Sequence, residues 1–176
     1  MLVLQGAKIL MQKNITRIDV ADYKILEKMS DECFVINTAI DEGFCRKFIE
    51  KATIEDRLVL FYGEDAIEKC KLFNADGVVL DLGVEKLKEK MQGVRKQLGK
   101  GKFVGLFTRC RRHESMLVSE VEPEFVIFKV FKDGFENIKE LTDWYNDFFV
   151  IQSASWIMEE IDEAEIKKLK TDFVIR

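Results

Sequence analysis

A chain of 176 residues with 47% apolar and 34% charged side chains is long enough for one cored domain and too apolar to be disordered. Its formal charge of −4 gives no overall attraction to nucleic acid or to an anionic membrane, so neither is an expected partner. The start, Met1-Leu2-Val3-Leu4-Gln5-Gly6, lacks the basic opening of a secretory leader, and no apolar run nears the ~20 residues of a spanning helix.

Four scattered cysteines (Cys33, Cys45, Cys70, Cys110) form no C-x-x-C pair, so free thiols in a cytoplasmic protein are expected. Leu2 to Leu10 reads as a first strand. Asp19 to Met29 has mixed helical spacing, with Asp19 placed to cap it. Cys33 to Ile40 is a second strand, and Phe44, Phe48 and Ile49 mark a helix through Ala52. Leu58 to Tyr62 is a third strand; Glu64 and Asp65 then open a helix carrying Ala66, Ile67, Cys70 and Phe73. Gly77 to Leu82 and Phe103 to Thr108 are the fourth and fifth strands, separated by a Lys/Glu-rich helix with Val84, Leu87 and Met91 inside. A short helix around Met116 and Leu117 ends before Pro123. Phe125 to Phe131 is the sixth strand, followed by a helix marked by Phe135, Ile138, Leu141 and Trp144. Phe148 to Ala154 is the seventh strand, Ile157 to Leu169 a last helix, and Phe173 to Ile175 the eighth strand.

One pattern recurs. An acid opens an apolar strand and a polar residue closes it: Asp76 and Asp81, Glu124 and Lys129, Asp147 and Gln152, Asp172 and Arg176. Near-continuous apolar strands alternating with charged helices point to a parallel sheet covered by helices. The expected fold is α/β: a compact (β/α)8 TIM-like barrel, eight parallel strands with the last outer helix missing, residues 1–176 forming a single domain. An open doubly wound sheet is the other architecture the pattern allows. The missing helix would bare one flank, so a homodimer or an N-terminal segment is expected to cover it.

In either architecture, sites lie at the carboxyl ends of the strands. Tyr62, Asp65, Asp81, Thr108, Arg109, Arg111, Lys129, Gln152 and Ser153 fall there by this assignment. Acids on one side and cations on the other suit a magnesium-bridged phosphate. The same charges also serve as helix caps and solvated loops, and Asp65 suits a helix dipole. The single histidine, His113, supports neither a zinc site nor a serine triad.

Leu60-Phe61-Tyr62-Gly63-Glu64-Asp65, then Ala75-Asp76-Gly77-Val78-Val79-Leu80, then Val104-Gly105-Leu106-Phe107-Thr108 resemble the strands of thiamine phosphate synthases and their thiazole-tautomerase relatives, which are TIM barrels. The resemblance implies a transferase of thiamine biosynthesis that joins a pyrimidine diphosphate to a thiazole phosphate with Mg2+. It implies catalytic roles for Asp65, Thr108 and Lys129, phosphate binding by Arg109, Arg111, Gln152 and Ser153, and metal binding by Asp65 and Asp81. The chain departs from the pattern at Glu64, where the family has asparagine, at Val79, where it has histidine, and at Gln152-Ser153, where it has a glycine pair. A second possibility follows from these losses: a non-catalytic barrel that binds a phosphorylated small molecule or a protein partner. A mouth filled by Phe107, Phe128 and Trp156 would favour it.

Overall fold

A computed structural model describes residues 12–176. Eight strands, all parallel, close into a barrel in chain order: β1 (Lys13–Ile18), β2 (Cys33–Asn37), β3 (Leu58–Tyr62), β4 (Gly77–Leu80), β5 (Phe103–Thr108), β6 (Phe125–Val130), β7 (Gln152–Ile157) and β8 (Phe173–Ile175). The helices α1 (Glu42–Ile54), α2 (Ala66–Phe73), α3 (Leu87–Leu98), α4 (Arg112–Ser119), α5 (Phe135–Phe148) and α6 (Glu163–Ile166) lie between strands from β2 onward. The fold is thus the expected TIM-like barrel, and the open-sheet alternative is excluded.

Alternate strand residues serve two different cores, which is why the strands read as unbroken apolar runs. Val35, Leu60, Val79, Ile127, Trp156 and Ile175 fill the barrel interior. Phe34, Ile36, Phe61, Val78, Leu106 and Phe128 face outward and pack under the helices with Phe44, Phe48 and Met91.

The recurrent acids set the register. Leu60 pairs with Gly77, Gly105 with Phe125 and Ala154 with Phe173. One residue earlier, Val59, Val104 and Ser153 therefore face the acid that precedes the next strand. In each case the backbone N–H donates to that carboxylate: Val59 to Asp76 at 2.8 Å, Val104 to Glu124 at 2.6 Å and Ser153 to Asp172 at 2.8 Å. Glu124 also receives Arg95 from α3, 2.9 Å from both carboxylate oxygens. Asp147 does not belong to this series, because it lies within α5.

Four expected elements need correction. The expected strand over Leu2–Leu10 lies outside the described residues, and the barrel's first strand is Lys13–Ile18. The expected helix over Asp19–Met29 is a single 3-10 turn, Tyr23–Leu26, capped by Asp22. Asp19 cannot cap it because its carboxylate is engaged by Arg17 and Tyr62. The seventh strand starts at Gln152 rather than Phe148, since α5 extends to Phe148 and Phe149 is its extended C-cap. The last expected helix shrinks to one turn, because Ile157 belongs to β7 and Ile161, Ile166 and Leu169 pack around Val174. Outside β1 the exposed surface is polar: Asn14 faces outward, and Thr16 donates to Asp31 from the same side.

Replacing Asp76, Glu124 or Asp172 by alanine leaves a strand N–H without its acceptor. Each should cost about 1–3 kcal/mol in denaturant unfolding, while Asp133→Ala on an exposed loop should change stability by less than about 0.5 kcal/mol. Equal effects at all four positions would show that the carboxylates do not hold the register.

Candidate functional site

The carboxyl ends of the strands form the mouth of the barrel, and its axis is filled by rings. Tyr62 from β3 and Phe107 from β5 meet Trp156 of β7 edge-on, with centroids 4.9 and 5.0 Å away. Trp156 is only 4% exposed. Two cations cover these rings. The Arg17 guanidinium lies 5.3 Å from the Trp156 centroid, and the Lys129 ammonium 4.7 Å from that of Phe107. Such contacts favour the charged side chain on the ring face.

A hydrogen-bond chain holds the plug. Arg17 donates from Nε to Asp19 and from Nη1 to the Ile157 carbonyl, both at 2.9 Å. Tyr62 donates its hydroxyl to Asp19 and accepts from Asn37 Nδ2 at 3.0 Å. Arg17 was not singled out from sequence, and Asp19 was expected there only as a helix cap, not at the mouth. The signal was present: in Ile15-Thr16-Arg17 the two-residue spacing puts Ile15 and Arg17 on one strand face.

Around this plug the rim is polarised. On the β3–β4 side a cleft of about 500 Å³ is walled by Tyr62, Ile67, Leu82 and Phe107, with Glu64 and Asp81 at its edge. On the β5–β6 side stand Arg109, Arg111 and Lys129. Among the described residues none of these three has an ion pair or a side-chain hydrogen bond. On the β7–β8 side Glu159, Glu160, Asp162 and Glu163 line a second groove, of about 590 Å³, and Arg176 is paired with Glu163. Barrels of this fold often bind phosphate beyond strands seven and eight. Here that edge is acidic, and the unpaired cations lie elsewhere.

The expected site residues divide accordingly. Lys129 points into the mouth. Asp81, one residue past β4, borders the cleft, and its Oδ1 accepts from the Gly83 N–H at 3.3 Å. Asp65 is exposed at the start of α2 and makes no side-chain cap bond there. Arg109 and Arg111 are exposed on the β5–α4 connection. Thr108 is buried and turned outward, 3.3 Å from Ser115 of α4, so the barrel wall separates it from the mouth. Gln152 and Ser153 begin β7 and therefore lie at the opposite end, the foot of the barrel. Ser153 is buried there, its hydroxyl donating to Asn146 at 2.9 Å. Phe128 also faces outward, its ring 5.3 Å from that of Tyr145.

No thiol offers an activated nucleophile. Burial pushes the Cys33 thiol up to about 12, and the nearby Asp76 adds to the rise. Burial also raises Cys45, Cys70 and Cys110. Among the described residues, no three His, Cys, Asp or Glu side chains come together as metal ligands. No described helix is long and apolar enough to cross a membrane.

No protein-family model matches the chain, and no curated protein matches it. Solved structures do. A protein of Aquifex aeolicus VF5 is 16% identical with a TM-score of 0.68, covering 96% of this chain and 84% of that one. Tryptophan synthase from M. tuberculosis is 10% identical with a TM-score of 0.68, covering 93% and 82%. The YdjI aldolase of Escherichia coli K12 is 10% identical with a TM-score of 0.64, covering 94% and 74%. At these identities the likeness establishes the barrel fold and nothing finer.

Two consequences are measurable. Cys45 and Cys70, which are buried, should react with a thiol reagent at pH 8 more slowly than the partly exposed Cys33 and Cys110 until denaturant is added; four equally fast thiols in the folded protein would contradict this. Stability should also fall as pH rises from about 9 towards 12. In that window the unfolded thiols and phenols release protons, while Cys33, and Tyr145 (pushed up to about 12 chiefly by burial), keep theirs. Denaturant midpoints that do not move between pH 8 and 10.5 would overturn this.

Proposed function

We propose that this chain is a barrel that holds a small phosphorylated ligand at the β5–β6 side of its mouth, without a built catalytic centre. The observation that carries this reading is a set of cations without an ion pair among the described residues, Arg109, Arg111 and Lys129 (the last seated over Phe107), beside an axis already filled by Tyr62, Phe107 and Trp156. Guanidinium groups suit phosphate because their planar donor fork matches two of its oxygens. The acidic β7–β8 edge repels an anion and directs it toward the cationic side. The solved structures of similar fold include ones described as an aldolase and as tryptophan synthase, and sites on this fold lie at this end of the strands.

A divergent thiamine phosphate synthase-like transferase is the second reading. What favours it is that Asp65 and Asp81 both stand at the mouth end, one opening α2 and one following β4. What weighs against it is the site itself. Thr108 is turned away from the mouth, and Gln152 and Ser153 are at the foot. Magnesium has no protein-built cage among the described residues. Two carboxylates would hold it only together with ligand phosphates and water.

Calorimetric titration with inorganic diphosphate and with thiazole phosphate, with and without magnesium, separates the two. The binding reading expects saturable, magnesium-independent binding of at least one ligand. Arg109→Ala and Arg111→Ala should each weaken it by about tenfold, the loss of one charge-assisted bond. Binding that needs magnesium and disappears in Asp65→Ala would transfer the assignment to the synthase. No binding of either ligand would overturn both.

A further inference from the structure

We infer that the ligand of the mouth is a phosphate ester of an aromatic amine, an inference that rests on the phosphate reading above. Its phosphate meets the β5–β6 cations, its ring enters the β3–β4 cleft, and its amine reaches the carboxylates at that cleft's edge. Phe107 joins the two places. Its side chain lines the cleft, and the Lys129 ammonium stands 4.7 Å from its ring centroid. Arg109 comes two residues later, on the connection that leaves the same strand. The ammonium thus lies within one ring's width of the cleft, and one small molecule can reach both.

The cleft suits a single ring. Its volume of about 500 Å³ lies in the lower part of the range of small-molecule sites, roughly 300–1,000 Å³. Its walls are apolar or aromatic: Tyr62, Ile67, Val79, Leu82 and Phe107. Two of these walls are held in place by the protein itself. The Tyr62 hydroxyl bonds to Asp19 and to Asn37, and both Tyr62 and Phe107 lean edge-on against Trp156. Walls already in place cost little ordering on binding, and a flat ring between them exchanges water for apolar contact. Inorganic phosphate would leave this cleft unused.

The charges at the edge decide what the ring carries. Among the described residues neither Glu64 nor Asp81 has an ion pair, and Asp81 accepts from the Gly83 N–H. Lys90 approaches this region but donates to the Leu82 carbonyl at 2.7 Å rather than to either carboxylate. Two such carboxylates disfavour a second anionic group on the ligand and favour an ammonium. A zwitterion therefore matches a mouth that is cationic at β5–β6 and anionic at β3–β4. The β7–β8 groove does not offer this combination. None of its lining side chains is a ring, and Glu159 and Glu163 are already engaged by the Lys132 N–H and by Arg176.

Calorimetric titration of the full chain with inorganic phosphate, phenyl phosphate and tyramine phosphate tests this. Phenyl phosphate should bind about tenfold more tightly than inorganic phosphate, through its ring, and the amine of tyramine phosphate should add about threefold. Leu82→Trp, which fills the cleft from a partly exposed position, should bring both esters down to the affinity of inorganic phosphate. Asp81→Asn should narrow the difference between the two esters. Inorganic phosphate bound as tightly as the esters, with Arg109→Ala weakening all three, overturns the inference and leaves the phosphate reading standing. So does tighter binding of phenyl phosphate than of tyramine phosphate. Absence of binding by all three overturns both.

Discussion

Three carboxylates placed just ahead of even-numbered strands organise this barrel. Asp76, Glu124 and Asp172 each accept the N–H of the second residue of the strand before. That N–H sits where the ladder has not yet begun, and left alone it would be an unsatisfied donor at the sheet's edge. By meeting it, the acid fixes where the next strand starts relative to its neighbour. A parallel strand that slips by one residue turns its whole apolar face from one core to the other. The same stagger, applied at β3–β4, β5–β6 and β7–β8, lets eight short strands close. Glu124 extends this by anchoring α3 through Arg95, so one carboxylate ties strand register to helix position.

Closure then decides what the mouth contains. With the register set, Arg17, Tyr62, Phe107, Lys129 and Trp156 all project to one end of the barrel axis, as their ring and cation contacts show. Five large side chains leave little room on the axis itself. Open space persists instead as clefts at the rim, between β3 and β5 and beyond β7. Asp19 has an unusual share in this. It stands one residue past β1, yet it joins Arg17 to Tyr62 and so links the first strand to the third across the mouth.

Much of the fold was legible because it rests on local chemistry. The strands Leu58–Tyr62, Phe103–Thr108 and Phe173–Ile175 coincide with their apolar runs. The acids before β4, β6 and β8 were visible as a pattern, although their role in register was not. Errors arose where hydrophobicity and structure part company. Lys13–Ile18 is a strand of mixed polarity, because no helix in the described residues covers its outer face and Asn14 and Thr16 can stay polar. The stretch 148–151 is strongly apolar, yet Val150 is fully exposed. In contrast, β7 itself carries Ser153 and Ser155 on its outer face. Both are buried, and Ser155 is 2.8 Å from the Thr171 hydroxyl. Hydrophobicity alone could not find a strand whose outward positions are buried hydroxyls with partners.

The candidate site was less legible for a related reason. A strand end is an address with two sides, and one residue decides which side is reached. Phe107 and Thr108 are neighbours, but Phe107 meets Trp156 on the axis while Thr108 meets Ser115 under α4. Phe128 and Lys129 divide in the same way, the ring against Tyr145 and the ammonium over Phe107. Listing residues near strand ends therefore mixes mouth groups with wall groups. Counting parity from interior residues separates them: Ile127 leads to Lys129, Ala154 to Trp156 and Ile15 to Arg17, all of them pointing inward. The polar groups that survive this filter at β5 to β7 are cationic or aromatic, and the carboxylates gather on either side of them. That arrangement of cations between carboxylates is the charge pattern on which the proposed anion binding at the β5–β6 side rests.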